Sequence, residues 1–222
     1  MDLIECILTR RSIRAYKDTP VAKELIIKIL DEARRAPSSA NTQPWEFAVF
    51  GGRVMEEMKR AYQERFSSGG TPNPDVPYPF MAWPEPYLSR RMALSRKQQL
   101  FIGIDSKNEA QVQQFWLRGY GFFGAPIGII IYIGNVLPTW SLLDVGLVLQ
   151  SIVLLARNYG LGTCIQLQMI VYPDIIRRLM DIPTSKKIVI GLSMGYPDED
   201  QIINKYVTER IPLDEMVTWH GI

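Results

Sequence analysis

Apolar residues recur at helical spacing along much of this chain. Between residues 22 and 35 they form one face of an amphipathic helix, made by Leu25, Ile26, Ile29, Leu30 and Ala33. Further helices are predicted over residues 2–9, 52–66, 88–103, 108–118, 140–159 and 173–181.

Shorter apolar runs between the helices predict strands. Residues Ile127 to Ile133 form a continuous run rich in β-branched side chains, which is typical of a buried strand. Three further strands are predicted over Glu46 to Phe50, Thr163 to Met169 and Lys187 to Met194.

The segment from Trp140 to Tyr159 is apolar almost all round, with Asp144, Gln150 and Ser151 as its main polar interruptions. A helix of this kind must be buried on several sides. Either it runs through the centre of the domain, or its second face meets another subunit.

A proline-rich segment follows Gly69 and Gly70. Six prolines within it exclude regular structure, because proline cannot donate a backbone hydrogen bond. They are Pro72, Pro74, Pro77, Pro79, Pro84 and Pro86, interleaved with Tyr78, Phe80, Trp83 and Tyr87. A loop of this length inside a compact domain is disordered or functional, and its aromatic rings argue against disorder.

Composition describes an ordinary globular protein whose 222 residues can bury one core, so residues 1–222 are predicted to form one domain. Hydrophobic residues make up 47% and charged residues 22% of the chain. The net charge is +2, from 25 basic and 23 acidic residues. The protein therefore has no strong electrostatic attraction to nucleic acid or to a membrane surface.

Several features predict a cytoplasmic protein. Cys6 and Cys164 provide neither a disulfide framework nor a zinc site. Acidic residues occupy the N-terminus, where a signal peptide needs positive charge. The longest apolar run, Phe122 to Gly134, is too short to span a bilayer and contains a proline.

The chain has a single histidine, His220, close to its C-terminus. Histidine-based triads and metal sites are therefore almost excluded, and no metal is predicted. The sequence also lacks a P-loop and a G-x-G-x-x-G dinucleotide fingerprint. If the protein is an enzyme, a bound cofactor is the simplest source of its chemistry.

A polar loop runs from Ala36 to Trp45. Pro37 stops the preceding helix, and small hydroxyl and amide side chains follow. Such a loop offers many hydrogen-bond donors and acceptors with little bulk, which suits a polar ligand that carries a ring. From composition alone, a capped turn explains the loop equally well.

A basic segment, Thr9 to Tyr16, lies upstream. Arg10, Ser12 and Arg14 alternate in it, so in an extended chain their side chains point the same way. Guanidinium groups at this spacing fit a phosphate. The alternative is a solvated basic turn.

Together these two segments resemble the start of the FMN-dependent nitroreductase family, in its nitroaromatic- and nitrobenzoate-reducing branch. The similarity continues in GLGTCIQ (160–166), GLSMGYPDED (191–200) and ERIPLDEMVTW (209–219). It spans nearly the whole chain in the order of the family, and residues 67–107 are its least constrained part.

The resemblance implies an α+β, nitroreductase-like fold with a mainly antiparallel central sheet flanked by helices. It also implies a homodimer in which the C-terminal tail, from Glu209 to Ile222, crosses over to the sheet of the partner. Val217, Thr218 and Trp219 have strand character in keeping with this exchange. Two FMN molecules would bind at the dimer interface.

The resemblance further implies a set of FMN-binding residues. Arg10, Arg11, Ser12, Arg14 and Arg210 would hold the phosphate and the ribityl chain. The second subunit would contribute Pro37, Ser38, Ser39 and Asn41. Ile165, Gln166 and Leu167 would lie against the flavin and supply a backbone N–H. Many relatives have proline at or beside the position of Ile165, so the local backbone path is expected to differ there.

The function implied is ping-pong hydride transfer, in which NAD(P)H visits an open pocket and reduces FMN, and an electron-poor acceptor then replaces it. Nitroaromatics, quinones and free flavin are the expected acceptors, with no catalytic side chain required. The aromatic-rich insertion at about 67–107 would decide specificity, with Trp83 and Phe123 as substrate-binding candidates.

Two other functions remain open. Another flavin enzyme of the same superfamily, such as a dehalogenase or a flavin-cleaving enzyme, would need a zwitterion-binding Glu-Tyr-Lys set that residues 67–107 do not clearly contain. A non-catalytic FMN-binding protein would bind the cofactor without oxidising NAD(P)H.

Overall fold

The computed structural model describes residues 1–78 and 83–222. Its helices are α1 (Leu3–Thr9), α2 (Lys23–Ala33), α3 (Gly52–Ser67), α4 (Tyr87–Phe101), α5 (Glu109–Tyr120), α6 (Ser141–Asn158), α7 (Pro173–Met180) and α8 (Ile202–Lys205). Its strands are β1 (Glu46–Gly51), β2 (Ile127–Gly134), β3 (Gly162–Gln166) and β4 (Lys186–Gly195).

The helices and strands predicted from apolar spacing are present, with three differences. The strand predicted over Thr163 to Met169 ends at Gln166, where a 3-10 turn, Leu167–Ile170, replaces it. The short helix α8 was not predicted. Val217 to Trp219 form no strand within the chain, since a strand needs a neighbour to hydrogen-bond with.

The four strands form one antiparallel sheet in the order β1-β2-β4-β3. Helices pack on both of its faces, so the predicted α+β class and antiparallel sheet are confirmed. The sequence of β2 is apolar without a break because both faces of the strand are covered. Ile129, Ile131 and Ile133 face one core, and Ile130 faces the other. Alternate side chains of a strand point to opposite faces, so a strand covered on both sides is apolar throughout.

The core on one face of the sheet is built around α2 and α6, and the core on the other around α3, α7 and the end of α5. In the second core, Tyr62 is fully buried, and its hydroxyl donates to the backbone carbonyl of Met169 at 2.8 Å. That bond satisfies the buried hydroxyl within a mainly apolar cluster.

Among the described residues, α6 is the one helix whose length and apolar composition would allow it to cross a membrane. Core helices of soluble proteins also meet this criterion of length and composition. One face of it is buried, with Val148, Ile152 and Ala156 fully enclosed. On the opposite face Leu143 and Leu147 are 59% and 37% exposed. The chain alone therefore covers only part of its surface.

The proline-rich segment has neither helix nor strand over residues 70–78, as predicted. Polar contacts attach it to the body: Asp75 forms an ion pair with Arg177 at 2.6 Å and accepts the backbone N–H of Ile188 at 2.8 Å. Phe80, one of its predicted aromatic residues, lies outside the described residues.

The strand β4 passes very close to the 3-10 turn at Gly191, where an added Cβ would lie 2.5 Å from Cβ of Met169. Because both atoms are fixed to the backbone, we expect Gly191→Ala to lower the free energy of unfolding by about 1–3 kcal/mol. Urea denaturation measures this. Gly134→Ala is the control, because its Cβ would meet Leu137 only at 3.8 Å. Equal stability of the two variants would contradict the close approach.

Candidate cofactor and acceptor site

The basic segment lies beside the edge strand β3. Ser12 pairs with Thr163 in a parallel bridge, and the backbone N–H of Ile13 donates to the carbonyl of Thr163 at 2.9 Å. Ile13 and Ala15 are buried, whereas Arg10, Ser12 and Arg14 remain partly exposed. The predicted alternation is therefore present, and the three polar side chains share the accessible side.

Asn204 fixes this segment from the other end of the chain. Its Oδ1 accepts the backbone N–H of Arg14 at 2.7 Å, and its Nδ2 donates to the carbonyls of Ala15 and Asp198, each at 2.8 Å. Asn204 is 3% exposed. Sequence reasoning did not identify this residue, because its role depends on contacts far away along the chain.

Cationic side chains concentrate around a small enclosed cavity at this edge. Arg10, Arg11, Arg157 and Lys205 line it, with Glu199 as the one carboxylate among its described lining residues. Thr9 and Thr163 add hydroxyl groups. This donor set fits a phosphate monoester, which carries up to two negative charges and accepts charge-assisted hydrogen bonds.

Arg14 connects the basic segment to a larger cavity. Its guanidinium lies 5.8 Å from the ring centroid of Phe123, a distance at which a cation is attracted to an aromatic face. Phe123 has a left-handed backbone, with a φ of 56°, and its side chain is partly exposed. Phe122, its neighbour, is fully buried and belongs to the core.

The larger cavity, called here the acceptor cavity, has a volume of about 370 Å³ and lies between α4, α5 and the Phe123 turn. Its lining is mainly apolar and aromatic. It comprises Arg14, Leu88, Arg91, Met92, Leu94, Ser95, Gln98, Phe115, Trp116, Gly119, Phe123 and Gln168.

Of the two predicted substrate-binding residues, Phe123 lines this cavity, and Trp83 is not among its described lining residues. Trp83 packs edge-to-face on Tyr78 at 6.0 Å, and its Nε1 is buried without a partner among the described residues. Sequence reasoning missed Arg91, Gln98 and Trp116. Their positions at helical spacing in α4 and α5 could have indicated a shared face.

The strand β3 has one exposed side chain, Ile165, which is 41% accessible. Gln166 is buried, and its amide donates to the carbonyl of Gly119 at 3.2 Å and accepts from the hydroxyl of Ser193. Its side chain is thus committed to the core, and only its backbone remains for a ligand. Leu167 is partly buried at the start of the 3-10 turn.

Cys164 directly precedes Ile165 in β3 and is 3% exposed. Burial raises the pKa of its thiol, and the nearby Arg14 and Ser12 offset only part of that rise. A thiol held protonated is a poor nucleophile. Cys164 therefore acts as a small core residue.

The polar loop from Ala36 to Trp45 is strained and largely exposed. Three of its residues other than glycine adopt left-handed backbones: Ala40, Asn41 and Gln43, with φ values of 48°, 56° and 45°. The hydroxyl of Ser38 accepts the N–H of Gln43 at 2.9 Å. Strain of this kind persists only where surrounding contacts hold it, and it is common at ligand sites.

Asp144 of α6 provides one such contact. It is 4% exposed, and its carboxylate accepts the backbone N–H of Ser39 at 3.0 Å. Near the other end of the same helix, the guanidinium of Arg157 donates to the hydroxyl of Thr9 at 3.1 Å. At a rise of ~1.5 Å per residue, these two anchor points lie about 20 Å apart. Within one chain, the polar loop and the basic segment therefore meet opposite ends of α6.

Arg210 lies apart from the basic segment. Its guanidinium donates to the hydroxyl of Thr208 at 2.6 Å, and it lines a different cavity together with Arg90 and Lys97. The tail beyond it is mostly exposed. The structure of one chain therefore does not bring Arg210 to the cations around Arg10.

Comparisons with known proteins give matches over most of the chain. The model of the nitroreductase family matches residues 7–196. The 4-nitrobenzoate reductase of Pseudomonas putida is 35% identical over 91% of this chain and 88% of that protein. The nitrobenzene nitroreductase of Ectopseudomonas oleovorans is 31% identical, over 97% and 95% of the two chains.

The chain is also similar to a solved structure, the FMN and NADPH-dependent nitroreductase NfnB from Sphigopyxis sp. strain HMH. The TM-score is 0.95 and the sequence identity is 28%, with both chains covered in full. The nitroreductase-like fold expected from the motifs is thereby confirmed.

The contact between Asp144 and Ser39 gives a prediction about the polar loop. We expect Asp144→Ala to speed amide hydrogen exchange at Ser39 by about 10- to 100-fold, because a hydrogen bond to a charged group contributes about 1.5–3 kcal/mol. Exchange measured by NMR tests this. Ser151→Ala is the control, since Ser151 lies on the same helix and bonds only within it, to the carbonyl of Leu147. Unchanged exchange at Ser39 would show that Asp144 does not hold the loop.

Proposed function

This chain belongs to the nitroreductase family, and we propose that it is an oxidoreductase that uses NAD(P)H and bound FMN to reduce nitroaromatics, quinones or related electron-poor acceptors. The observation that carries the proposal is the position of Arg14. It belongs to the basic segment whose Arg10 and Arg11 line the cationic edge, and its own side chain lines the mainly apolar cavity. A cofactor with a phosphate and a flat ring requires a cationic and an apolar surface of this kind.

The residues present fit FMN. Arg10, Arg11 and Ser12 would hold its phosphate and ribityl chain, and Arg14 would lie towards the ring. Ile165, the exposed residue of β3, offers an apolar contact beside the backbone of Gln166 and Leu167. When bound, FMN would supply the hydride chemistry, taking a hydride from NAD(P)H and passing it to the acceptor in a ping-pong cycle.

The residues of this chain would bind and orient the reactants. Phe123, Phe115 and Trp116 give the acceptor cavity flat apolar surfaces that suit planar rings. The described lining residues of that cavity include no Asp, Glu or His, so the protons that accompany reduction would come from water. The segment 67–107, which includes α4, would set acceptor specificity.

We also propose a homodimer that works in the cytoplasm. The basic segment and the polar loop meet α6 about 20 Å apart, so Pro37, Ser38, Ser39 and Asn41 of one copy would complete the FMN site of the other. The exposed tail containing Arg210 would pack against the partner. Both cysteines are free and buried, in keeping with a reducing compartment.

The visible spectrum of the purified protein tests the main proposal. We expect non-covalent FMN, bleached by NAD(P)H under argon and restored by a nitroaromatic or a quinone. Release of FAD, or the lack of any flavin, would refute the cofactor assignment. FMN that NAD(P)H does not bleach would instead favour a non-catalytic binding protein.

The same assay tests Arg14. We expect Arg14→Ala to raise the dissociation constant of FMN by about 10- to 100-fold, because it removes a charge-assisted hydrogen bond. Quenching of FMN fluorescence on binding measures the constant. The control is Arg53→Ala, which removes a side chain that is 91% exposed at the start of α3. Equal FMN affinity in both variants would remove Arg14 from the site.

The proposed homodimer can be tested at the exposed apolar side chains of α1 and α6. Ile4 and Leu8 of α1 are 64% and 77% exposed, α1 packs against α6, and Leu143 of α6 is 59% exposed. Large exposed apolar side chains that form a patch mark an interface. We expect Leu143→Glu to yield monomers with weakened FMN binding, as measured by light scattering and by flavin content.

Val136→Glu is the control for this variant, since Val136 is 94% exposed and lies outside both helices. A wild-type protein that is monomeric and fully loaded with FMN would contradict the composite site.

A further inference from the structure

The acceptor cavity has a buried side-chain amide that makes no hydrogen bond. Gln98 of α4 lines this cavity and is 8% exposed. Its amide forms no hydrogen bond with any other described residue. The amide is not sealed in the core, since the fully enclosed polar atoms without a partner among the described residues belong to Trp83 and Arg177. Buried polar groups are almost always paired, so an unpaired amide in the lining of a cavity is available to a ligand.

Gln166 shows how this protein treats an amide that serves the core. It is 4% exposed, and both ends of its amide are paired, one with the carbonyl of Gly119 and the other with the hydroxyl of Ser193. Gln98 is buried to a similar degree but lacks both kinds of partner. Its burial therefore does not follow from a role in the core.

A second amide lies in the same lining. Gln168 belongs to the 3-10 turn after β3, and its side chain also forms no hydrogen bond with a described residue. Its amide packs against Gly119 of α5, where an added Cβ would lie 2.4 Å from Oε1 and 2.7 Å from Nε2 of Gln168. Glycine at this position therefore leaves room for the amide. The helix α4 and the turn after β3 each contribute an amide to one cavity.

The chemistry of an amide limits the group that fits it. A glutamine side chain donates through its NH2 group and accepts through its oxygen. A primary carboxamide has the same two groups, so it pairs with both at once. A nitro group or a quinone oxygen only accepts, and it would leave the glutamine oxygen unpaired in a mainly apolar lining. The lining therefore fits a flat ring with a neutral carboxamide better than a ring without one.

We propose that the acceptor cavity recognises a neutral carboxamide on a planar ring, and that Gln98 is the residue that pairs with it. Two reactants of the proposed function carry this chemistry. The nicotinamide ring of NAD(P)H has a carboxamide, and a nitroaromatic has one when it is the second substituent of the ring. This inference rests on the proposed function and names the group by which its cavity selects a ring.

Binding of redox-inert benzamide to the protein as purified tests this recognition directly. Acetophenone is the matched ligand, because it replaces the NH2 group with a methyl group of similar size and keeps the ring and the carbonyl. Titrations followed by ligand-observed NMR give both dissociation constants. We expect the wild type to bind benzamide about 3- to 10-fold more tightly than acetophenone, and Gln98→Met to bind the two equally.

The control variant is Gln99→Met. Gln99 is 9% exposed and also has no side-chain hydrogen bond with a described residue, but it is not among the described lining residues of the acceptor cavity. This variant should keep the preference for benzamide. Methionine is unbranched and forms helices about as well as glutamine, so we expect Gln98→Met to keep the Tm of the wild type or to raise it. Gln98→Leu removes the same amide with a different shape and should give the same loss of preference.

The two half-reactions identify which reactant brings the carboxamide. A dissociation constant of NAD(P)H raised about 3- to 10-fold in Gln98→Met, measured from flavin reduction under argon, would support recognition of the reductant. A similar loss in kcat/KM for 4-nitrobenzamide relative to 4-nitroacetophenone would support recognition of the electron acceptor. A wild type that NAD(P)H does not reduce would refute the proposed function, while the benzamide titration would still test Gln98.

Three results would overturn the inference. Equal binding of benzamide and acetophenone by the wild type would show that the cavity does not recognise the NH2 group. Equal effects of Gln98→Met and Gln99→Met on the preference would show a general effect of α4. A lower Tm of Gln98→Met with an unchanged preference would show that the amide of Gln98 supports the fold and binds no ligand.

Discussion

The burial of one face of α6 against the sheet is the constraint on which the rest of the structure depends. That face fixes the helix along the core, with Val148 and Ile152 fully enclosed. Its two ends then anchor the two segments that matter for the site, the polar loop through Asp144 and the basic segment through Arg157. A rigid helix between them keeps the two segments apart, so one chain alone cannot close a site that uses both.

The placement of charge follows a second rule. Arginine and lysine side chains gather at the edge of β3 and along α4. On α4, Lys97 forms an ion pair with Glu209 at 2.6 Å. At the edge of β3, Glu199 is the one carboxylate among the described lining residues. Mutual repulsion within such a cluster costs stability, and that cost is offset when an anion binds. The cationic edge near Arg10 fits a phosphate.

Paired polar groups inside the core hold the backbone of the site residues in place. The amide of Gln166 and the hydroxyl of Ser193 satisfy each other beneath the exposed Ile165, and Asn204 holds the backbone of Arg14 in place. Such buried networks rigidify a structure when every member is paired. The exposed residues of the site thus lie on a backbone that has little freedom to move.

The sequence by itself determined the helices other than α8 and the positions of the four strands, because apolar spacing depends on which face of each element is buried. It also determined the alternation of Arg10, Ser12 and Arg14, which needs only an extended backbone. Tertiary structure decided the rest. The strand predicted to Met169 stops at Gln166, because a tight turn continues beneath Gly191. Trp83 packs on Tyr78, whereas Arg91 and Trp116 line the cavity. These outcomes depend on which distant segments become neighbours, and no local pattern of side chains contains that information.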